Sequence, residues 1–119
     1  MQDFKSLRVW QRAQTLTVSV YRATDAMTDV HAAGLRAQMR RAAASIAANI
    51  AEGTAQSTPR QFGRYLQMSV ASATELRSHL DLARRLRLIR EEVWRILDVE
   101  SHELIRMLVV LTKQVRARV

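Results

Sequence analysis

Few residues in this chain have the types and spacing that chemistry requires. The three histidines, His31, His79 and His102, are far apart in sequence, and only His102 has a carboxylate, Asp98, at helical spacing. Two ligands on one face do not make a zinc site, and neither a His-Glu-x-x-His run nor a Glu-x-x-His pair occurs. Ser45 and Ser72 lie among alanines with no base at a useful spacing, so they read as small packing residues rather than nucleophiles. Gly53 and Gly63 are too far apart to form a phosphate-cradling loop. The chain is therefore expected to be non-enzymatic, with no cofactor and no metal.

Two other sets of polar residues carry more information. Arg41, Ser45, Asn49 and Glu52, with Ser72 and Glu75, recur at helical spacing where a bundle would bury them at least partly. A buried carboxylate is costly unless paired, so Glu75 is expected to meet Arg41 or another Arg across the helix interface. The second set is basic. Arg8 and Arg12, Arg36 and Arg40, Arg60 and Arg64 form i, i+4 pairs, and Arg84 and Arg85 follow. Two guanidinium groups on one helix face suit successive phosphates, so these eight are candidates for contacts to RNA or DNA backbone. No base-reading motif accompanies them.

Long helices must position these residues. A first helix is expected over about 6–27, capped by Ser6, with Val9, Ala13, Leu16, Val20, Ala23 and Met27 inward. A second spans about 35–52, where Leu35, Met39, Ala42, Ile46 and Ile50 share a face. Gly53 is expected to end it in a left-handed conformation. Thr58-Pro59 opens a third helix to about 86. It carries two stripes of four-three spacing: one runs from Phe62 to Ala83, and the other takes in Tyr65, Met68, Ser72, Glu75, His79, Leu82 and Leu86. Both are expected to be buried against neighbouring helices. The fourth helix covers about 91–116, with acids at its start and bases at its end, as the helix dipole favours. Its segment Leu104–Leu111 is apolar almost all round. Ile105, Val109 and Val110, with Trp10, are thus expected to meet a partner subunit. The fold class is all-α: one antiparallel up-down-up-down four-helix bundle over residues 1–119.

Composition narrows the setting. The 119 residues include 19 Lys and Arg against 11 Asp and Glu, a formal net charge of +8. Such a field attracts polyanions. There is no cysteine, no apolar stretch that reads as a signal peptide, and no run long enough to span a membrane. A cytoplasmic protein is expected.

The chain resembles the 23S rRNA-intervening sequence proteins, a family related to the accessory variability determinant of diversity-generating retroelements. The resemblance rests on Phe4, Leu7 and Val9-Trp10-Gln11, then Gly34-Leu35, Gln38 and Arg40-Arg41-Ala42. It continues through Ser45-Ile46 and Asn49-Ile50-Ala51-Glu52-Gly53 to Phe62, Leu66, Ser72, Glu75, Leu76 and Leu80. It implies a four-helix bundle assembled as a homo-oligomer, a homopentamer. It also implies a basic surface that contacts RNA or DNA, and a nucleic-acid enzyme such as a reverse transcriptase as a partner. Thr28, His31, Gln56, Ala71 and Arg87 depart from the family pattern, Arg87 at a turn position that favours Gly.

Overall fold

The computed structural model describes residues 3–118. They form four helices, α1 (Arg8–Thr24), α2 (Ala33–Thr54), α3 (Pro59–Arg85) and α4 (Glu91–Arg116), with single 3-10 turns at Phe4–Ser6 and Val30–Ala32. Each helix packs on the next, and α1 meets α4, closing a four-helix bundle of 47 × 20 × 19 Å. The described residues contain no strand.

The core follows the four-three patterns. Val9, Ala13, Leu16 and Val20 of α1 face Met39, Ala43, Ile46 and Ile50 of α2. Leu66, Ala73, Leu76 and Leu80 of α3 and Leu97, Leu104, Leu108 and Val115 of α4 complete it. Buried hydroxyls interrupt this core without leaving polar atoms stranded. Thr24, Ser101 and Thr112 donate to carbonyls four residues earlier at 2.7–2.8 Å.

Helix α2 is the hub, because its alanines let its neighbours approach closely. Thr17 of α1 donates to the Ala43 carbonyl at 3.0 Å, and Ser69 of α3 donates to the Ile46 carbonyl at 2.9 Å. A short hydroxyl reaches a carbonyl on another helix only when no bulky side chain stands between them.

The helix ends depart from expectation in three places. Ser6 does not cap α1; it closes the 3-10 turn capped by Asp3, and α1 starts after the extended Leu7. Helix α1 also ends at Thr24, although Met27 beyond it is still buried. Gly53 is not a left-handed stop: no glycine has positive φ, and α2 continues to Thr54. Gly53 is needed instead for space. A Cβ there would lie 2.8 Å from Phe62 Cδ1 and 3.0 Å from Tyr65 Cβ.

The left-handed residue is Arg87, at φ 59°. Around it, Leu88 N–H donates to the Ala83 carbonyl and Arg87 N–H to the Arg84 carbonyl, both at 2.9 Å. This is the Schellman arrangement, which normally places Gly at that position. The side chain at Arg87 is therefore a source of local strain.

Two stability tests follow. Gly53→Ala is expected to lower stability by about 1–3 kcal/mol through overpacking, whereas Gly34→Ala, where no atom lies within 4 Å of the added Cβ, raises it by about 0.4–1 kcal/mol. Arg87→Gly is expected to raise it by about 0.5–1 kcal/mol by relieving the left-handed strain. Urea unfolding of each single variant measures both.

Candidate nucleic-acid interface

The alternation of helices gathers the start of α1, the α2–α3 turn and the end of α4 at one end of the bundle. Arg118 lines a cleft there with Gly53, Ser57, Thr58 and Phe62, and the stem of Arg116 lies 3.4 Å from the position a Cβ on Gly63 would take. Helix α3 opens at this end with Pro59 in its first turn, and Thr58 Oγ1 accepts from Gln61 N–H at 3.2 Å.

Charge is divided between the two ends. Lys5, Arg8, Arg12, Arg60, Arg64, Lys113, Arg116 and Arg118 lie at the α2–α3 turn end, and among the described residues none is in an ion pair. The acids near them include Asp3, Glu52 and Glu103; Asp3 is occupied as the cap of its turn, and Glu103 lines one groove with Arg8 without pairing to it. Every ion pair except Arg77–Asp98 lies at the opposite end, built from Asp25, Asp81, Glu91 and Glu92 with Arg40, Arg84, Arg85, Arg90 and Arg95.

The eight candidate arginines therefore separate. Arg8, Arg12, Arg60 and Arg64 keep their side chains unpaired at the basic end. Arg36 and Arg40 do not point outward as expected: they tie α2 to the end of α1. Arg36 donates to the Met27 carbonyl. Arg40 donates to Thr24 Oγ1 at 2.8 Å, to the Tyr21 carbonyl at 3.2 Å and to Asp25 at 2.8 Å, and lies 4.6 Å from the Tyr21 ring centre.

Arg84 and Arg85 are also occupied. Arg84 stacks on Trp94 at 4.0 Å and pairs with Asp81 at 2.8 Å and Glu91 at 3.6 Å. Arg85 pairs with Asp81 at 2.7 Å. The hydrogen bonds of Arg85 and then Arg84 hold the Asp81 carboxyl below the usual carboxylate range, and Asp81 in turn raises the Arg85 guanidinium above its ordinary value. The pairing thus stabilises the folded chain above the usual carboxylate range, and its contribution disappears as pH falls through the lowered value. Trp94 was not apparent as a partner in the sequence, because Arg84 and Trp94 meet only when the α3–α4 turn folds back.

The polar stripe is also corrected. Ser45, Asn49 and Ser72 are half-buried, but Arg41, Glu52 and Glu75 are exposed. Ser45 and Asn49 bond backward along their own helix, to the Ala42 and Ser45 carbonyls. Glu75 and Arg41 line one cleft of about 280 Å³ with Gln38 and Ser45, yet neither is ion-paired or hydrogen-bonded among the described residues. Solvent replaces the expected partner, because this side of α3 is open rather than buried. Asp98 takes both its bonds from Arg77, at 2.9 and 3.3 Å, and not from His102. No group of three or more potential metal ligands occurs among the described residues.

Of the expected subunit-contact residues, Trp10 packs edge-on against Phe4, ring centres 5.1 Å apart, and Ile105 rests on the core. Val109 and Val110 stand 38% and 55% exposed. They flank two grooves beside α4, one of about 330 Å³ against Val70 and Ala71 of α3, the other of about 440 Å³ against Leu7 and Val9.

A small all-α four-helix bundle is the class of protein that the fold defines. The chain belongs to the 23S rRNA-intervening sequence protein family, whose model matches residues 5–110. Its fold is similar to that of a crystal structure from Bacteroides thetaiotaomicron, described as a protein of unknown function from the S23 ribosomal protein family. That match has a TM-score of 0.82 at 22% identity, over 88% of this chain and 98% of the other. No curated protein matches the chain. No helix among the described residues is long and apolar enough to cross a membrane.

Arg40→Ala is expected to lower stability by about 1–2 kcal/mol, since it deprives the end of α1 of its hydrogen bonds to α2. Thermal or urea unfolding checks this; an unchanged midpoint contradicts the structural role.

Proposed function

We propose that this chain is a non-catalytic, cytoplasmic, self-assembling bundle. Its basic end grips the phosphate backbone of RNA or DNA without reading base sequence. One observation carries the proposal: none of the cations at the α2–α3 turn end is in an ion pair, while Arg40, Arg77, Arg84, Arg85, Arg90 and Arg95 elsewhere are. An unpaired guanidinium keeps its donors available for phosphate, whereas one held by a carboxylate must break that bond first.

Self-assembly is supported by the exposed apolar residues of α4, Ile96, Val99, Val109 and Val110. The family resemblance supports a homopentamer as that assembly. A second reading rests on the same apolar surface: an adaptor that docks a protein, such as a reverse transcriptase, with its charge serving solubility.

Salt separates the two readings. Fluorescence anisotropy of labelled RNA and DNA at 50 and 200 mM salt is expected to show affinity falling steeply, with a log–log slope set by the number of phosphate contacts. Arg60→Ala with Arg64→Ala is expected to reduce that slope by about 2, about 1 per lost contact. Arg84→Ala with Arg85→Ala is expected to leave it unchanged. Salt-insensitive binding, or none, would overturn the proposal in favour of the adaptor.

A further inference from the structure

The second stripe of α3, expected to be buried, is covered only in part. Tyr65, Ser72 and His79 are half-buried, whereas Met68, Leu82 and Leu86 are 50%, 45% and 56% exposed. Where the stripe begins, beside the α2–α3 turn, it borders a pocket of about 350 Å³ lined by Gln56, Gln61, Arg64, Tyr65 and Met68. That volume lies within the range of small-ligand sites. No acid lines the pocket. Its one cation, Arg64, is in no ion pair among the described residues.

We propose that this pocket takes one unpaired nucleobase of a single-stranded RNA or DNA whose phosphates lie on the basic end. The proposal rests on the phosphate-binding reading above and narrows it from nucleic acid in general to single strands. Phosphate contacts need only cations, and the other four residues of the pocket are not cations. They are what a base needs. Tyr65 supplies an aromatic ring for stacking, and Met68 a polarisable thioether beside it. The two amides have complementary vacancies. Gln56 Nε2 donates to the Glu52 carbonyl at 3.0 Å, which leaves its Oε1 to accept. Gln61 Oε1 accepts from Thr58 Oγ1 at 3.2 Å, which leaves its Nε2 to donate. Every base carries both donors and acceptors on its edges, so one free acceptor and one free donor hold a base without requiring a particular sequence.

The aromatic side chain is fixed at its root. A Cβ on Gly53 would lie 3.0 Å from Tyr65 Cβ, so the backbone of α2 presses against that side chain where it leaves α3. The ring is therefore positioned before any ligand arrives, which lowers the cost of binding. In a duplex each base is already paired and stacked, and it enters a pocket only by being extruded at the cost of both. A single strand offers its bases without that cost. A free nucleotide carries the same chemistry, a base and a phosphate. It reaches only Arg64, however, whereas a strand also engages the other unpaired cations of this end.

Abasic strands separate this inference from the phosphate grip, because they keep every phosphate and lose the bases. In fluorescence anisotropy, an oligodeoxythymidylate is expected to bind about 5- to 150-fold more tightly than an abasic strand of equal length, with the same salt slope. Tyr65→Leu is expected to abolish that difference and to leave the abasic strand and a duplex bound as before. Tyr65→Phe, which keeps the ring, is expected to preserve it. Circular dichroism checks that both variants remain helical. Equal, salt-sensitive binding of the two strands would overturn the base pocket and leave the phosphate reading standing; binding of neither would overturn both. A loss in Tyr65→Phe as large as in Tyr65→Leu, or an equal loss for the duplex, would also overturn the pocket. Thymidine monophosphate that displaced the strand at the strand's own concentration would overturn the single strand as its occupant.

Discussion

The close approach of helices to α2 is the constraint on which the rest of the bundle depends. Along its inner faces Ala42, Ala43 and Ala47 carry only methyl groups between the larger Met39, Ile46 and Ile50, and at Gly53 there is no side chain. Thr17 and Ser69 can therefore reach across to α2 carbonyls, and Phe62 and Tyr65 can pack against bare backbone at Gly53. Larger residues would hold the helices apart. The α2–α3 turn would then open, and the start of α3 would no longer stand beside the end of α4.

That geometry separates the charges. The same helix ends that bring Arg60, Arg64, Arg116 and Arg118 together contain few acids. The ends that bring Asp81, Arg84, Glu91 and Trp94 together form an ion-paired hinge around the α3–α4 turn. An arginine's role here depends less on its outward direction than on which end it occupies. Arg40 and Arg64 look equivalent as i, i+4 partners along a helix. One is spent holding Thr24 and Asp25, and the other keeps its donors unpaired.

The bundle was largely legible in the amino-acid order. Four-three repeats, Thr58-Pro59, and the acids and bases at the ends of α4 locate the elements, because a helix brings residues three or four apart onto one side whatever surrounds it. Gly53 was located but misread: local rules associate glycine with left-handed turns, whereas the requirement here comes from Phe62 and Tyr65 on another helix. Arg87, a departure from Gly at a turn, was legible in place and is borne out in conformation.

The chain's order thus settles periodicity, the number of helices and net charge, since each arises from neighbours close in sequence. It could not settle which stripe is covered. Both stripes of α3 share the same spacing, and burial depends on how many helices surround α3 and from which side. Nor could it assign the arginines, because an ion pair requires its carboxylate within about 4 Å, and that distance is set by how distant segments pack. The folded arrangement alone distinguishes the structural guanidinium groups from the unpaired ones, and the closed core from the half-covered stripe.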